Sequence, residues 1–201
     1  MFQLLSEGVE KANAEKAFEN LVLVVFNYDR CVEHFLAHAL SSYYALPEID
    51  AQQIVRSISL IHPYGTVGHL AWQQHGGLMF GAEGGGRTLL QISGQVRTFT
   101  EQMSDQNVRE QIQEAMDEAD NIVFLGFAFH EQNMALLKAN PSRRSRKVFA
   151  TALGVSASDC EAIASEVYSI YDSNRDQIRM EIRNDLKCVE LFEQYWRSLR
   201  A

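Results

Sequence analysis

Residues 21–26 read Leu-Val-Leu-Val-Val-Phe and run straight into Asn27-Tyr28-Asp29. A short, continuously apolar run suits a strand covered on both faces, as in a parallel sheet flanked by helices. Three further runs fit the same description: Ser57 to His62 (SISLIH), closed by Pro63; Asn121 to Phe127 (NIVFLGF); and Lys147 to Ala152 (KVFATA).

Helical patterns separate these runs. Residues 8–20 are rich in Ala, Glu and Lys and are expected to be helical. Residues 29–44 read as a helix with Val32, Phe35, Leu36, Ala39 and Leu40 on one face. A second helix over 47–57 opens at Pro47 and turns Ile49, Ile54 and Val55 inward. Residues 65–86 carry eight glycines and little periodicity, so a long loop is expected. Residues 87–119 read as polar helix broken near Ser104-Asp105. Helices are also expected at 130–138, from a cap at Ser156 or Ser158 to about 169, and from Arg179 to Leu199. Apolar strands alternating with helices predict an α/β fold with a Rossmann-like parallel sheet, in a single domain over 1–201.

In such sheets ligands sit beyond the carboxyl ends of the strands. Asn27-Tyr28-Asp29 follow the first strand and His62-Pro63-Tyr64-Gly65-Thr66 the second. Gly126, Phe127, His130 and Asn133 follow the third, and Thr151 and Gly154 the fourth. Polar groups converging over one sheet edge are what a small molecule needs. Each residue also has a plainer role: Asp29 as a helix N-cap, Asn27 as a turn residue, His62 as a hydrogen-bonded core histidine, the glycines as close-packing points.

Composition narrows the classes. A net charge of −8 opposes general affinity for nucleic acid. The one basic run, Arg143-Arg144-Ser145-Arg146-Lys147, reads as a solvated loop leading into a strand. Cys31, Cys160 and Cys188 form no CxxC pair, so neither a disulfide framework nor a thiolate zinc site is indicated. His34 and His38 share a helix side with Cys31 nearby, but HExxH is absent and no third ligand is evident, so no metal is assigned. Gly81-Ala82-Glu83-Gly84-Gly85-Gly86 is not GxGxxG, and GxSxG does not occur. No apolar run reaches membrane-spanning length and the N-terminus is not a signal peptide; a cytoplasmic protein is expected.

The segments VVFNYD, IHPYGTVG and IVFLGFAFHEQN, in that order and at strand ends, resemble the sirtuin-like NAD-binding domains of bacteria, many of them NAD-hydrolysing effectors of antiphage defence. KVFATALGVS and LFEQYWRSL resemble the C-terminal portion of that group, so the resemblance spans roughly residues 20–200. It implies NAD as substrate or ligand. It places Asn27 beside the nicotinamide ribose with Asp29 as the neighbouring acid, and Gly126 and Phe127 against the adenosine side. Gly65, Asn133 and Thr151 complete the implied nucleotide contacts. In the family the catalytic histidine directly precedes a glycine. That position here is Tyr64, and His62 substitutes if the chain stays extended through Pro63, which would turn both side chains to one side. The family's opening strand and glycine-rich pyrophosphate loop have no counterpart before Leu21, so the domain is expected to be N-terminally incomplete. Without CxxC, deacetylation is not expected. The implied activity is cleavage of the nicotinamide–ribose bond: Asn27 orients a water or ribose hydroxyl, His62 takes the proton, and Asp29 favours the developing cation. The alternative is a non-catalytic nucleotide-binding or assembly domain, whose open sheet edge and last helix would support a homo-oligomer or a partner protein.

Overall fold

The computed structural model describes residues 1–82, 85–86, 94, 96, 105–141, 144–171 and 177–200. Most of the expected helix over 87–104, together with Glu83 and Gly84 of the glycine-rich stretch, lies outside them. The protein is a mixed α/β chain with short parallel sheets flanked by helices. It divides into two compact units, Phe2–Val108 and Arg109–Ala201, each described by itself.

The first unit begins with helix α1 (Phe2–Ser6) and a 3-10 helix over Lys11–Phe18 that kinks at Asn13. The expected single helix over 8–20 fails because Gly8 takes a left-handed φ of 81° and Asn13 leaves helical geometry. Strand β1 (Val22–Val24) pairs in parallel with β2 (Ser59–Ile61), Leu23 opposite Leu60. The Val25 N–H donates to the Ile61 carbonyl at 2.8 Å and carries the ladder one step further.

Helix α2 (Cys31–Tyr44) and helix α3 (Glu48–Ser57) form the antiparallel pair between these strands. The buried stripe of α2 is Glu33, Leu36, Ala37, Leu40 and Tyr44, at the three-and-four spacing of one helical face. Phe35, expected on that face, is exposed, because it sits about 100° around the helix from Leu36. Ile49 is exposed as well; Ala51 and Val55 are the buried positions of α3, one turn apart. The join is tight. Ala45 adopts a left-handed φ of 48°, the Leu46 N–H donates to the Ser41 carbonyl at 3.1 Å, and the Lys11 ammonium donates to the Ala45 carbonyl at 2.7 Å.

Beyond β2, residues 69–79 fold back on themselves. The Leu78 N–H donates to the His69 carbonyl at 2.8 Å and the Ala71 N–H to the Leu78 carbonyl at 3.0 Å. Gly77 lies where a Cβ would collide with the Leu70 carbonyl.

In the second unit helix α4 (Gln106–Glu118) precedes β3 (Asn121–Phe124), and α5 (Glu131–Leu136) leads to β4 (Arg146–Thr151). Helix α6 (Ala157–Tyr171) is followed by β5 (Ile178–Arg183), then α7 (Cys188–Gln194) and α8 (Trp196–Arg200). The Ser156 hydroxyl accepts the Asp159 N–H at 3.1 Å, so Ser156 caps α6. The sheet order is β3-β4-β5, all parallel, with β4 in the middle and buried along most of its length.

β5 corrects the sequence reading, which ran a helix through it from Arg179. Ile178, Met180 and Ile182 alternate with charged residues, a two-residue period that a six-residue edge strand shows weakly. The last helix is accordingly shorter and broken at Tyr195, whose ring packs on Phe149 at 5.0 Å beside Leu186 and Leu191. The strands also belong to two sheets rather than one, a two-stranded and a three-stranded one.

Gly77→Ala is expected to open the Leu70–Leu78 turn and lower stability by about 1–3 kcal/mol in urea unfolding; an unchanged midpoint would show that the turn yields freely.

Candidate functional site

The carboxyl ends of β1 and β2 are joined by side chains. The His62 ring lies between two partners: Nδ1 is 3.1 Å from the Asn27 carbonyl and Nε2 is 3.0 Å from Glu33 Oε1. A carbonyl can only accept, so Nδ1 carries a proton. The second proton-sharing contact, to Glu33, is nearly dry, with side-chain exposures of 10% for His62 and 5% for Glu33. Among the described residues Glu33 Oε2 has no hydrogen-bond partner.

Asn27 itself is exposed. Its carboxamide lies close enough to Asp29 to help hold that carboxylate ionised. Asp29 Oδ1 accepts the Cys31 N–H at 2.9 Å, at the start of α2. The N-cap expected at Asp29 falls instead on Arg30, which makes no side-chain cap bond, and Asp29 meets the first helical N–H from one residue earlier. The Cys31 hydrogen bonds are the largest cause holding the Asp29 carboxyl below its ordinary range, and the charge of His62 and the Asn27 amide act the same way. The same carboxylate pushes the exposed Cys31 thiol up, which keeps it from behaving as a thiolate nucleophile.

Tyr64 does not share the side of His62. The chain turns at Pro63, with the Gly65 N–H donating to the His62 carbonyl at 3.0 Å, and Gly65 takes a φ of 75°. The extended path through Pro63 that would have aligned the two side chains is absent. The Tyr64 ring instead meets Phe26 edge-on at 6.0 Å and Tyr28 at 6.3 Å, and burial pushes its hydroxyl pKa up. The Val67 N–H donates to the Tyr28 carbonyl at 2.9 Å and ties the two loops again.

Two site residues were not singled out from the sequence, Glu33 and Arg30, and both are buried. Arg30 donates through Nη1 to the His69 carbonyl at 3.0 Å and the Leu78 carbonyl at 3.1 Å, so it fastens the folded-back segment beside α2. The legible signal for Glu33 was its place on the stripe with Leu36 and Leu40, where a charge needs a partner.

The remaining expected contacts belong to the second unit. The Gly126 N–H donates to the Thr151 hydroxyl at 2.9 Å, and Gly126 takes a φ of 58°. Thr151 is buried and so braces the ends of β3 and β4, with its own hydroxyl 3.5 Å from the Phe124 carbonyl. Phe127 packs on Phe124 and Phe129, and Asn133 lies within α5. Asn27, Asp29 and His62 are thus brought together, and Gly126 with Thr151; Tyr64 is turned aside.

His34, spaced one turn from His38, stacks on Phe80 with ring centroids 3.9 Å apart, and burial beside His38 lowers its pKa. Among the described residues no group of three or more His, Cys, Asp or Glu side chains is placed to hold a metal ion, and no helix is long and apolar enough to cross a membrane. Compared with protein-family models, curated proteins and solved structures, the chain matches none.

Two outcomes follow. The depressed Asp29 carboxyl stabilises the fold above its unfolded pKa, and that contribution is lost as pH falls below about 4 and through the folded value. Asp29→Asn is therefore expected to flatten the acid limb of a thermal-midpoint-against-pH curve; an unchanged limb would contradict the assignment. Thr151→Val should lower stability by about 0.5–1.5 kcal/mol in urea unfolding, because the Gly126 N–H loses its protein acceptor; no loss would mean the brace is dispensable.

Proposed function

We propose that the chain is a Rossmann-like, sirtuin-like α/β domain that binds NAD and hydrolyses its nicotinamide–ribose bond, as a cytoplasmic effector of the bacterial defence type. One observation carries this reading. Asn27 stands just beyond a parallel strand, exposed, with its carboxamide near the Asp29 carboxylate and its backbone carbonyl held by His62.

The chemistry suits those groups. Departure of nicotinamide leaves positive charge on the ribose, and water then adds to the same carbon and releases a proton, giving nicotinamide and ADP-ribose. The exposed carboxamide of Asn27 can accept from that water through its oxygen and orient it. Asp29, held in its ionised form, is a fixed negative charge close to where the cation develops. Neither step calls for a metal or a covalent enzyme intermediate.

A second reading, nucleotide binding without turnover, is favoured by the His62 ring, whose two nitrogens are both engaged. Calorimetry with NAD and ADP-ribose separates the two: heat of binding with no nicotinamide released supports the second.

Asn27→Ala keeps the backbone carbonyl that His62 holds and removes only the carboxamide. It is expected to lower NAD consumption by about a hundredfold or more while leaving the thermal midpoint close to wild type. Consumption at the wild-type rate would rule out Asn27 as the orienting group.

A further inference from the structure

We infer that Glu33 and His62 are positioning residues acting through Asn27, so that His62 serves as a strut rather than as the base. The inference rests on the site proposed above and concerns how it is held.

The geometry assigns each ring nitrogen. Nδ1 faces the Asn27 carbonyl at 3.1 Å and must donate. Nε2 faces Glu33 at 3.0 Å, in a contact almost closed to solvent. Neither nitrogen has a lone pair turned toward the exposed Asn27 carboxamide, so a proton from water at that carboxamide has no direct path onto the ring. The ring instead spans from α2, through Glu33, to the backbone of Asn27, three residues beyond β1. Fixing that carbonyl fixes the peptide plane from which the Asn27 side chain springs. The Asp29 carboxylate lies near the far end of the same side chain.

The position of Glu33 agrees with this role. It occupies the buried stripe of α2, where Leu36 and Leu40 are fully enclosed. A carboxylate there is unfavourable unless a partner is held against it. The charged groups facing the ring are Glu33 from α2 and Asp29 from the β1 end, while the Tyr64 ring on the β2 side packs with Phe26 and Tyr28.

The ring's proton positions decide the matter without reference to NAD. In 15N-histidine spectra of the whole chain, Nδ1 of His62 is expected to carry a proton in the wild type. It is expected to keep it in Glu33→Gln, whose amide can donate to Nε2. In Glu33→Ala the ring is expected to revert to the ordinary Nε2–H form. A wild-type ring protonated on Nε2 alone, or a Glu33→Ala ring identical to wild type, overturns the strut.

Turnover with NAD gives a second arm. His62→Asn places an amide donor where Nδ1 stood and has no titrating group; it should lose less than about tenfold, whereas His62→Ala should lose about a hundredfold. Equal, complete loss in both variants would make His62 a base and overturn the inference. Failure of the wild type to cleave NAD would overturn the functional reading alone, and the ring spectra would still decide the strut.

Discussion

The imidazole of His62, held between the Asn27 carbonyl and the Glu33 carboxyl, is the contact on which the β1–β2 end depends. The two strands are three residues each, and their ladder alone is a weak fastening. One ring converts that short ladder into a three-way junction of both strand ends and α2. Breaking a buried pair of this kind by removing one partner costs about 3–5 kcal/mol, because the other is left without compensation. The loops beyond the junction follow it: Val67 bonds to Tyr28, and Tyr64 lies with Phe26 and Tyr28.

Polar residues at the start of α2 serve three neighbours in turn. Asp29 holds the first helical N–H, Arg30 holds the carbonyls of the folded-back segment, and Glu33 holds His62. Their order in the chain follows helix geometry. Arg30 and Glu33 are three residues apart and both turn inward, whereas Cys31 and His38 face solvent. A helix start that would ordinarily need one cap thus organises an exposed carboxamide.

Much of the fold was legible. The apolar runs at 21–26 and 147–152 contain strands, and the second is buried along most of its length, the condition that continuous apolarity reports, whereas β1 is half-buried with Val22 exposed. β5 was not legible as a strand, since its alternation is carried by charged residues on a sheet edge and resembles an amphipathic helix with Leu191 and Tyr195 downstream. At the site, Asn27, Asp29 and His62 could be named because strand ends attract polar groups. The pairing of His62 with Glu33 could not, because it depends on which face of α2 is buried. Phe35 argued for one rotation of that helix and Glu33 required another. The turn at Pro63 likewise separates His62 from Tyr64 by a local conformation that strand alternation does not report.

The central claim is that a dinucleotide binds at the β1–β2 end with its ribose against Asn27. Amide and side-chain chemical-shift mapping during a titration with NAD tests it most directly. The account predicts saturable shifts at the Asn27 carboxamide, the Cys31 N–H that Asp29 holds, and the His62 ring. Saturable binding that leaves all three unmoved, or no binding at millimolar NAD, would contradict it.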